Sequence, residues 1–255
     1  MQVDWNDERT GSAAGGLVLW SKTMNDVAAN IEKINTRIQR ACQKSGRNPD
    51  NVRLIAVSKV KPAELIEEAY HAGQKLFGES YVQEFRDKSP RVSAPVEWHF
   101  IGGLQSNKVK YLRGKVAMIH SVDRLSLAEE INRQWGKIDA TVAITLQVNV
   151  GDELTKSGCA PDELEALVKA VAQLPHIKIC GLMCLPPHCD DPEQVRPFFR
   201  QLRELAGQIE QLQLPNVEMK ELSMGMSGDF EVAIEEGATL VRVGTAIFGA
   251  RSKRP

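Results

Sequence analysis

The stretch Leu54–Pro62 reads Leu-Ile-Ala-Val-Ser-Lys-Val-Lys-Pro and decides how the rest of the chain is interpreted. Its apolar first half, followed closely by a proline, is typical of a short strand in a parallel sheet covered on both faces. Pro62 suits the first turn of a following helix, because the N–H that proline lacks would have no helical partner there. The pattern therefore predicts Lys59 at the carboxyl end of a strand, in phase with Ile55 and Val57.

A lysine at the end of a buried strand has two interpretations. Partial withdrawal from water lowers the pKa of an amine and lets it act as a nucleophile toward an aldehyde. The alternative is an ordinary surface lysine, and this segment alone favours that second interpretation, because short motifs often mislead. Together with the remaining motifs of the chain, however, the first interpretation of Lys59, a nucleophilic amine, becomes the favoured one.

The composition limits the class of protein. The 255 residues are 42% hydrophobic and 25% charged, with a net charge of -1, which is ordinary for a globular chain with a large core. The chain has no net positive charge that would favour binding to nucleic acid. It also lacks an uninterrupted apolar run of about 18 residues, the length needed to span a membrane. Residues 1–23 are acidic and rich in small residues, and we interpret them as a disordered arm, a tag remnant or an upstream start.

The five cysteines indicate the redox environment. Their odd number and irregular spacing favour reduced thiols and a cytoplasmic location. Cys180, Cys184, His188 and Cys189 lie close enough in sequence to suggest a metal cluster. Their spacing matches no paired Cys-x-x-Cys site, and two prolines interrupt it, so we predict no metal.

Predicted strands and helices alternate along the chain. An amphipathic helix starts near Met24, and eight strands follow, each with a helix after it, including one predicted over Gln105–Arg113. Strict alternation predicts a parallel sheet, and eight units in about 230 residues match a closed barrel. A doubly wound open sheet is the alternative, but no Gly-x-Gly-x-x-Gly turn follows the first strand. We predict one domain over residues 24–255, an α/β protein with a single (β/α)8 TIM barrel and an additional N-terminal helix.

The loops after the last two strands, Ser223–Asp229 and Arg242–Ala246, are candidates for an anion site. Both place glycine and hydroxyl residues where a helix begins, and such turns offer unpaired N–H groups to an anion. The alternative is that Ser227 and Thr245 are helix caps and that the glycines only permit tight turns. Two such loops on neighbouring strands of one barrel favour a phosphate site.

Arg242 belongs to the same end of the barrel. It is opposite in phase to Val241 and Val243, so the alternation predicts that it points into the barrel mouth. An arginine there needs an acceptor, because it cannot lose its charge. A solvent-facing arginine with a buried stem is the alternative.

Taken in order, these motifs resemble one known family. They are Ala56–Lys59, Phe77–Glu79, His99–Gly102, Leu104–Lys108, Ser157–Gly158, Gly181–Met183, Ser223–Ser227 and Arg242–Gly249. From Met24 to Arg251 the chain resembles the YggS/PLPBP family of pyridoxal-phosphate-binding homeostasis proteins, which in turn resembles the barrel domain of alanine racemase. Ser80 departs from the pattern, since family members commonly have asparagine at this position.

The resemblance implies a cofactor, pyridoxal 5'-phosphate (PLP), and a set of residues that hold it. Lys59 matches the lysine that forms the Schiff base, and Arg242 matches the arginine that faces the pyridine nitrogen. Ser227, Gly244 and Thr245 match the residues that hold the phosphate, and Ser223 and Met226, close by, are further cofactor-binding candidates. His99 and Asn149, at the ends of predicted strands, are further candidates for the pocket wall, although buried polar residues of a barrel core would look identical.

Two functions are compatible with such a site. The alternative is a PLP-dependent amino-acid racemase, which needs a base on each face of the substrate carbanion. In alanine racemase the second base is a tyrosine from a following β-rich domain, which we expect this chain to lack. None of Tyr70, Tyr81 and Tyr111, on predicted helices or their starts, is an obvious substitute.

An arginine against the pyridine nitrogen disfavours its protonation and weakens the ring as an electron sink. We therefore expect a non-catalytic, monomeric PLP carrier in vitamin B6 and amino-acid homeostasis, with PLP-dependent apo-enzymes as transient acceptors.

Overall fold

Eight parallel strands close into a barrel, which confirms the predicted fold class. The computed structural model describes residues 26–151, 157–187 and 189–250. Each strand pairs with the next, and the first pairs with the last. In chain order the strands are β1 (Arg53–Val57), β2 (Leu76–Glu79), β3 (Glu97–Phe100), β4 (Met118–Val122), β5 (Val142–Gln147), β6 (Ile177–Met183), β7 (Val217–Ser223) and β8 (Leu240–Val243).

Helices lie between the strands and cover the outside of the barrel. They are α1 (Val27–Lys44), α2 (Ala63–His71), α3 (Val82–Lys88), α4 (Leu125–Gly136), α5 (Leu164–Val171), α6 (Arg196–Glu210), α7 (Phe230–Glu235) and α8 (Thr245–Phe248). The additional helix α1 is capped by Asp26, whose carboxylate accepts the N–H of Ala29 at 2.9 Å. Its buried stripe, with Val27, Ile31 and Ile34, packs against α7 and α8, as the apolar spacing predicted.

One predicted helix was wrong in type. In place of an α-helix over Gln105–Arg113, the chain forms a 3-10 helix over Ser106–Tyr111. Val109 within it and Leu112 directly after it are fully buried, and they are three residues apart. Residues three apart share one face of a 3-10 helix and of an α-helix alike, so this spacing in the sequence did not distinguish the two.

The barrel interior has an apolar part and a polar part. Ile55, Leu76, Met118 and Leu240 form a small apolar cluster of their own inside the strands. Leu54 and Ala56, one residue out of phase with Ile55, belong instead to the larger core between strands and helices. The phase of β1 is therefore set by Ile55, but the strand ends at Val57, so Lys59 lies beyond the strand rather than at its end as predicted.

Several predictions concern features outside the barrel. The interpretation of residues 1–23 falls outside the described residues. No helix in the described part of the chain is long and apolar enough to cross a bilayer. The five cysteines, all of which the structure describes, are free thiols. No cluster of metal-ligating side chains occurs among the described residues, which do not include His188.

Candidate functional site

A cavity of about 560 Å³ opens at the carboxyl ends of the strands. The loops after β1, β2, β3, β5, β6, β7 and β8 contribute to its wall. Six of the predicted site residues meet there: Lys59, Met226, Ser227, Arg242, Gly244 and Thr245. They come from opposite ends of the sequence and are brought together because β1 pairs with β8, with Ile55 opposite Arg242.

Lys59 lies in a tight turn just beyond β1. The N–H of Lys61 donates to the carbonyl of Ser58 at 3.1 Å, which closes the turn around Lys59 and Val60. Val60 has a φ of 61°, a left-handed conformation that is strained for a β-branched residue. The Lys59 side chain is half-buried, as expected for an amine at the mouth of a barrel.

The two final turns face the same cavity as Lys59. Neither Ser227 nor Thr245 is a helix cap: Asp229 precedes α7, and Gly244 precedes α8. Among the described residues, none accepts a hydrogen bond from the main-chain N–H groups of Ser227, Gly228, Gly244 or Thr245. These donors fit an anionic group at the cavity wall.

The glycines at these turns differ in what surrounds them. A Cβ added at Gly244 would lie 3.1 Å from the carbonyl oxygen of Val57, so a side chain there would press on the end of β1. A Cβ at Gly228 would meet nothing within 4 Å, because this glycine borders open space. Gly244 therefore lets its turn lie close against β1, and Gly228 leaves its turn open.

Arg242 is fixed between the cavity and the barrel core. It is 4% exposed, and its Nη1 donates to the carbonyl and the hydroxyl oxygen of Ser223, both at 2.6 Å. Its Nη2 donates to the carbonyl of Cys184 at 2.9 Å. Burial lowers the pKa of Arg242, but a guanidinium starts so high that it keeps its charge. The cavity is thus lined by a permanent, rigidly held cation.

A chain of hydrogen bonds runs from Arg242 through the barrel interior to Glu97. Ser223 Oγ lies 2.8 Å from His120 Nδ1, His120 Nε2 lies 2.9 Å from His99 Nδ1, and His99 Nε2 lies 2.9 Å from Glu97. Burial lowers the pKa of both histidines, and the neighbouring His99 and Arg242 lower that of His120 further, so both rings are neutral.

The two ends of this chain fix the position of every proton. Arg242 can only donate and the Glu97 carboxylate can only accept. His99 must therefore carry its proton on Nε2, and His120 must donate through Nε2 to the bare Nδ1 of His99. Ser223 then donates its hydroxyl proton to His120 and accepts from Arg242. The hydrogen bond from His99 lowers the pKa of Glu97, which keeps the far end anionic.

Three of the predicted site residues are not among the described residues that line the cavity. Ser223 and His99 are buried beneath it in the hydrogen-bonded chain, and Asn149 lies beyond β5, where its N–H donates to the carbonyl of Cys159. For His99 the structure supports the alternative stated in the sequence analysis, a buried and hydrogen-bonded residue of the barrel core.

The wall also contains residues that were not among the predicted site residues, including Gln147, Ser157 and Tyr81. Gln147 and Ser157 line the cavity and are joined by a 2.8 Å hydrogen bond from the Gln147 amide to the Ser157 carbonyl. Tyr81, at the start of α3, also lines the cavity and is 52% exposed. Gln147 could have been found from the alternation of β5, because it is in phase with Thr145; for Tyr81, the position just after a strand was the available signal.

Comparison with known proteins identifies the relatives of this chain. The family described as "Alanine racemase, N-terminal domain" matches residues 29–252. "Pyridoxal phosphate homeostasis protein" of Aquifex aeolicus is 48% identical over 222 residues, 87% of this chain and 96% of the relative. The protein of that name from Escherichia coli K12 is 42% identical over 232 residues, covering 89% and 98%.

Solved structures agree with the sequence comparisons. PipY of Synechococcus elongatus PCC7942, solved with PLP bound, is 37% identical with a TM-score of 0.77, and the match covers 88% of this chain and 100% of PipY. An alanine racemase of Clostridium difficile 630 is 10% identical with a TM-score of 0.68, covering 89% of this chain and 57% of the racemase, and shares the fold.

The barrel and its rim define a protein of the alanine racemase N-terminal domain class. Within that class, the chain belongs to the pyridoxal phosphate homeostasis protein family.

Proposed function

We propose that this protein binds PLP at the barrel mouth and acts as a non-catalytic carrier or regulator in PLP and amino-acid homeostasis. The observation that carries the proposal is the shared cavity: the Lys59 amine and the donors of the two final turns line one space. The names of the relatives and the PLP bound to PipY support the choice of cofactor. PLP supplies an aldehyde for the amine and a phosphate for the donors.

Each residue then has a stated role. Lys59 would supply the amine to which the aldehyde of PLP attaches through a C=N bond, with loss of water. Ser227, Gly244 and Thr245 hold the phosphate through hydroxyl and main-chain donors, with Met226 beside them. Lys61 also lines the cavity, but its amine donates to the carbonyls of Phe248 and Ala250 at 2.8 and 2.9 Å, so we assign the attachment to Lys59.

The fixed charge of Arg242 supports a non-catalytic role. Three hydrogen bonds to Ser223 and Cys184 hold the guanidinium, and none of its groups can accept a proton. Placed against a pyridine nitrogen, it would keep that nitrogen unprotonated and limit electron withdrawal by the ring. A cofactor that is held but weakly activated suits storage and delivery.

One observation favours the racemase alternative and makes it testable. Tyr81 lies on the cavity wall, so a phenol is available near the site, which the sequence had not indicated. We expect no turnover of L- or D-alanine by the PLP-loaded protein. Racemisation that is lost in Tyr81→Phe would establish the enzyme instead of the carrier.

The direct test is chemical trapping. The protein is incubated with PLP, reduced with borohydride, digested and mapped by mass spectrometry, with Lys59→Ala and Lys61→Ala as a matched pair. We expect a visible absorption band before reduction and a label on Lys59 after it, both of which persist in Lys61→Ala and disappear in Lys59→Ala. If the unaltered protein carries the label on Lys61, or carries no label, the assignment to Lys59 is refuted.

Further parts of the proposal concern the setting in which the protein works. We propose a monomer in the cytoplasm that hands PLP to apo-enzymes as transient partners. The free thiols support a reducing compartment. Sedimentation with and without PLP tests the monomer, and transfer of PLP to an apo-aminotransferase, faster than from free solution at equal total PLP, tests delivery.

A further inference from the structure

A buried cluster of charges lies directly behind the turn that carries Lys59. Lys88, 7% exposed, donates to Glu79 at 2.7 Å and to Glu84, its neighbour one turn earlier on α3. Glu79 is fully buried, and its Oε2 has no hydrogen-bond partner among the described residues. Withdrawing such charges from water is unfavourable, and replacing a buried ion pair by apolar residues is often neutral or stabilising. The cluster therefore needs a reason other than stability.

The contacts of the cluster with the turn supply that reason. The N–H of Val60 donates to Glu84 at 2.6 Å, and Lys88 donates to the carbonyl of Ser58 at 2.8 Å. Glu79 accepts the Ser58 hydroxyl at 2.7 Å. Main-chain or side-chain groups on both sides of Lys59 are thus bonded to charged side chains, which make the stronger kind of hydrogen bond.

The conformation held by these bonds is unfavourable without them. Val60 occupies the second central position of the turn with a φ of 61°, where turns of this kind normally have glycine. Strained backbone persists when its surroundings over-determine it, and it concentrates at functional sites. Here the strained residue is the immediate neighbour of the cavity lysine.

We propose that Glu84 and Lys88 are positioning residues that lock the Ser58–Lys61 turn in its left-handed form and so direct Lys59 into the cavity. The inference rests on the proposed function, because it concerns the lysine assigned to the cofactor. Glu84 holds the N–H after Lys59 and Lys88 holds the carbonyl before it, so the direction of the lysine side chain depends on both.

Two ligands separate positioning from general damage. PLP needs both the phosphate turns and a correctly directed amine, whereas pyridoxine 5'-phosphate has the same ring and phosphate but no aldehyde. In Glu84→Gln we expect binding of PLP to weaken about tenfold and binding of pyridoxine 5'-phosphate to change less than about twofold. The control is Glu165→Gln, which alters an i,i+4 pair with Lys169 on the exposed face of α5 and should leave both affinities unchanged.

A second substitution tests the strain itself. Glycine adopts the left-handed conformation readily, so Val60→Gly removes the need for the lock. In the Val60→Gly background, Glu84→Gln should weaken PLP binding by less than about threefold. The positioning role would be overturned by any of three results: Glu84→Gln weakens binding of both ligands equally, it leaves PLP binding unchanged, or it weakens PLP binding as much in the Val60→Gly background as in the unaltered one. Failure of the unaltered protein to prefer PLP over pyridoxine 5'-phosphate would refute attachment at Lys59, and this inference with it.

Discussion

The hydroxyl of Ser223 is the link in the buried chain whose removal has the clearest expected effect. It accepts from Arg242 at 2.6 Å and donates to His120 at 2.8 Å, and all three side chains are at most 4% exposed. Ser223→Ala keeps the size of the side chain within one atom but leaves His120 Nδ1 without a donor. It also removes one acceptor from a buried cation.

The magnitude follows from these two losses. A buried group left unsatisfied costs about 1–3 kcal/mol, and a hydrogen bond to a charged group contributes about 1.5–3 kcal/mol. Arg242 keeps the carbonyls of Ser223 and Cys184, so the second loss is partial. We expect Ser223→Ala to lower the free energy of unfolding by about 2–4 kcal/mol.

A neighbouring hydroxyl provides the matched control. Thr145 is fully buried and donates to the carbonyl of His120 at 2.9 Å, so Thr145→Val removes one neutral hydrogen bond with little change of shape. We expect it to cost about 1 kcal/mol. Urea unfolding of the PLP-free proteins, followed by far-ultraviolet circular dichroism, measures both. If Ser223→Ala costs no more than Thr145→Val, the directed chain from Arg242 to Glu97 is not what holds this part of the barrel.

Three further predictions concern pH, packing and reactivity. Because burial lowers the pKa of His99 and His120, the unfolded chain binds more protons than the folded one below about pH 6.5. Urea titrations should therefore show that the free energy of unfolding decreases as the pH is lowered below this value, by at most about 1.4 kcal/mol per pH unit for each histidine. Gly181→Ala should prevent folding, because its Cβ would lie 1.8 Å from the carbonyl oxygen of Glu221, whereas Gly207→Ala on α6, with nothing within 4 Å, should raise the urea midpoint. Burial raises the pKa of Cys184 to about 12, so its thiol should resist a disulfide reagent until urea unfolds the protein.

The sequence predicted the fold because the alternation of strands and helices is a local signal repeated eight times. It failed over Gln105–Arg113, where the side chains of Val109 and Leu112 satisfy a 3-10 helix as well as an α-helix. Barrel closure depends on contacts between strands that are far apart in sequence. It could still be predicted, because eight strands in regular alternation with helices match a closed barrel, in which the last strand pairs with the first. The β1–β8 pairing then placed the predicted lysine beside the predicted phosphate turns.

The parts of the site that could not be predicted depend on contacts between distant strands. His99 was correctly suspected of being polar and buried, but its partner His120 lies on the next strand, and Ser223 comes from β7 across the barrel. The lock on Lys59 was equally hidden. Val60 looks like an ordinary strand residue, and only its positive φ and the carboxylate of Glu84 reveal that the turn is held from behind.

Arg242 has two roles that follow from one position. Strands β7 and β8 share a single paired position, Ser223 with Leu240, so this seam has little regular ladder. Arg242 bridges it: its N–H donates to Gly225, and its guanidinium binds Ser223 on β7 and Cys184 just beyond β6. The group that closes the weakest seam is therefore also the cation on the cavity wall. A ligand that contacts both this wall and the turn after β1 would span the closing strands, so binding should stabilise the whole barrel rather than one loop.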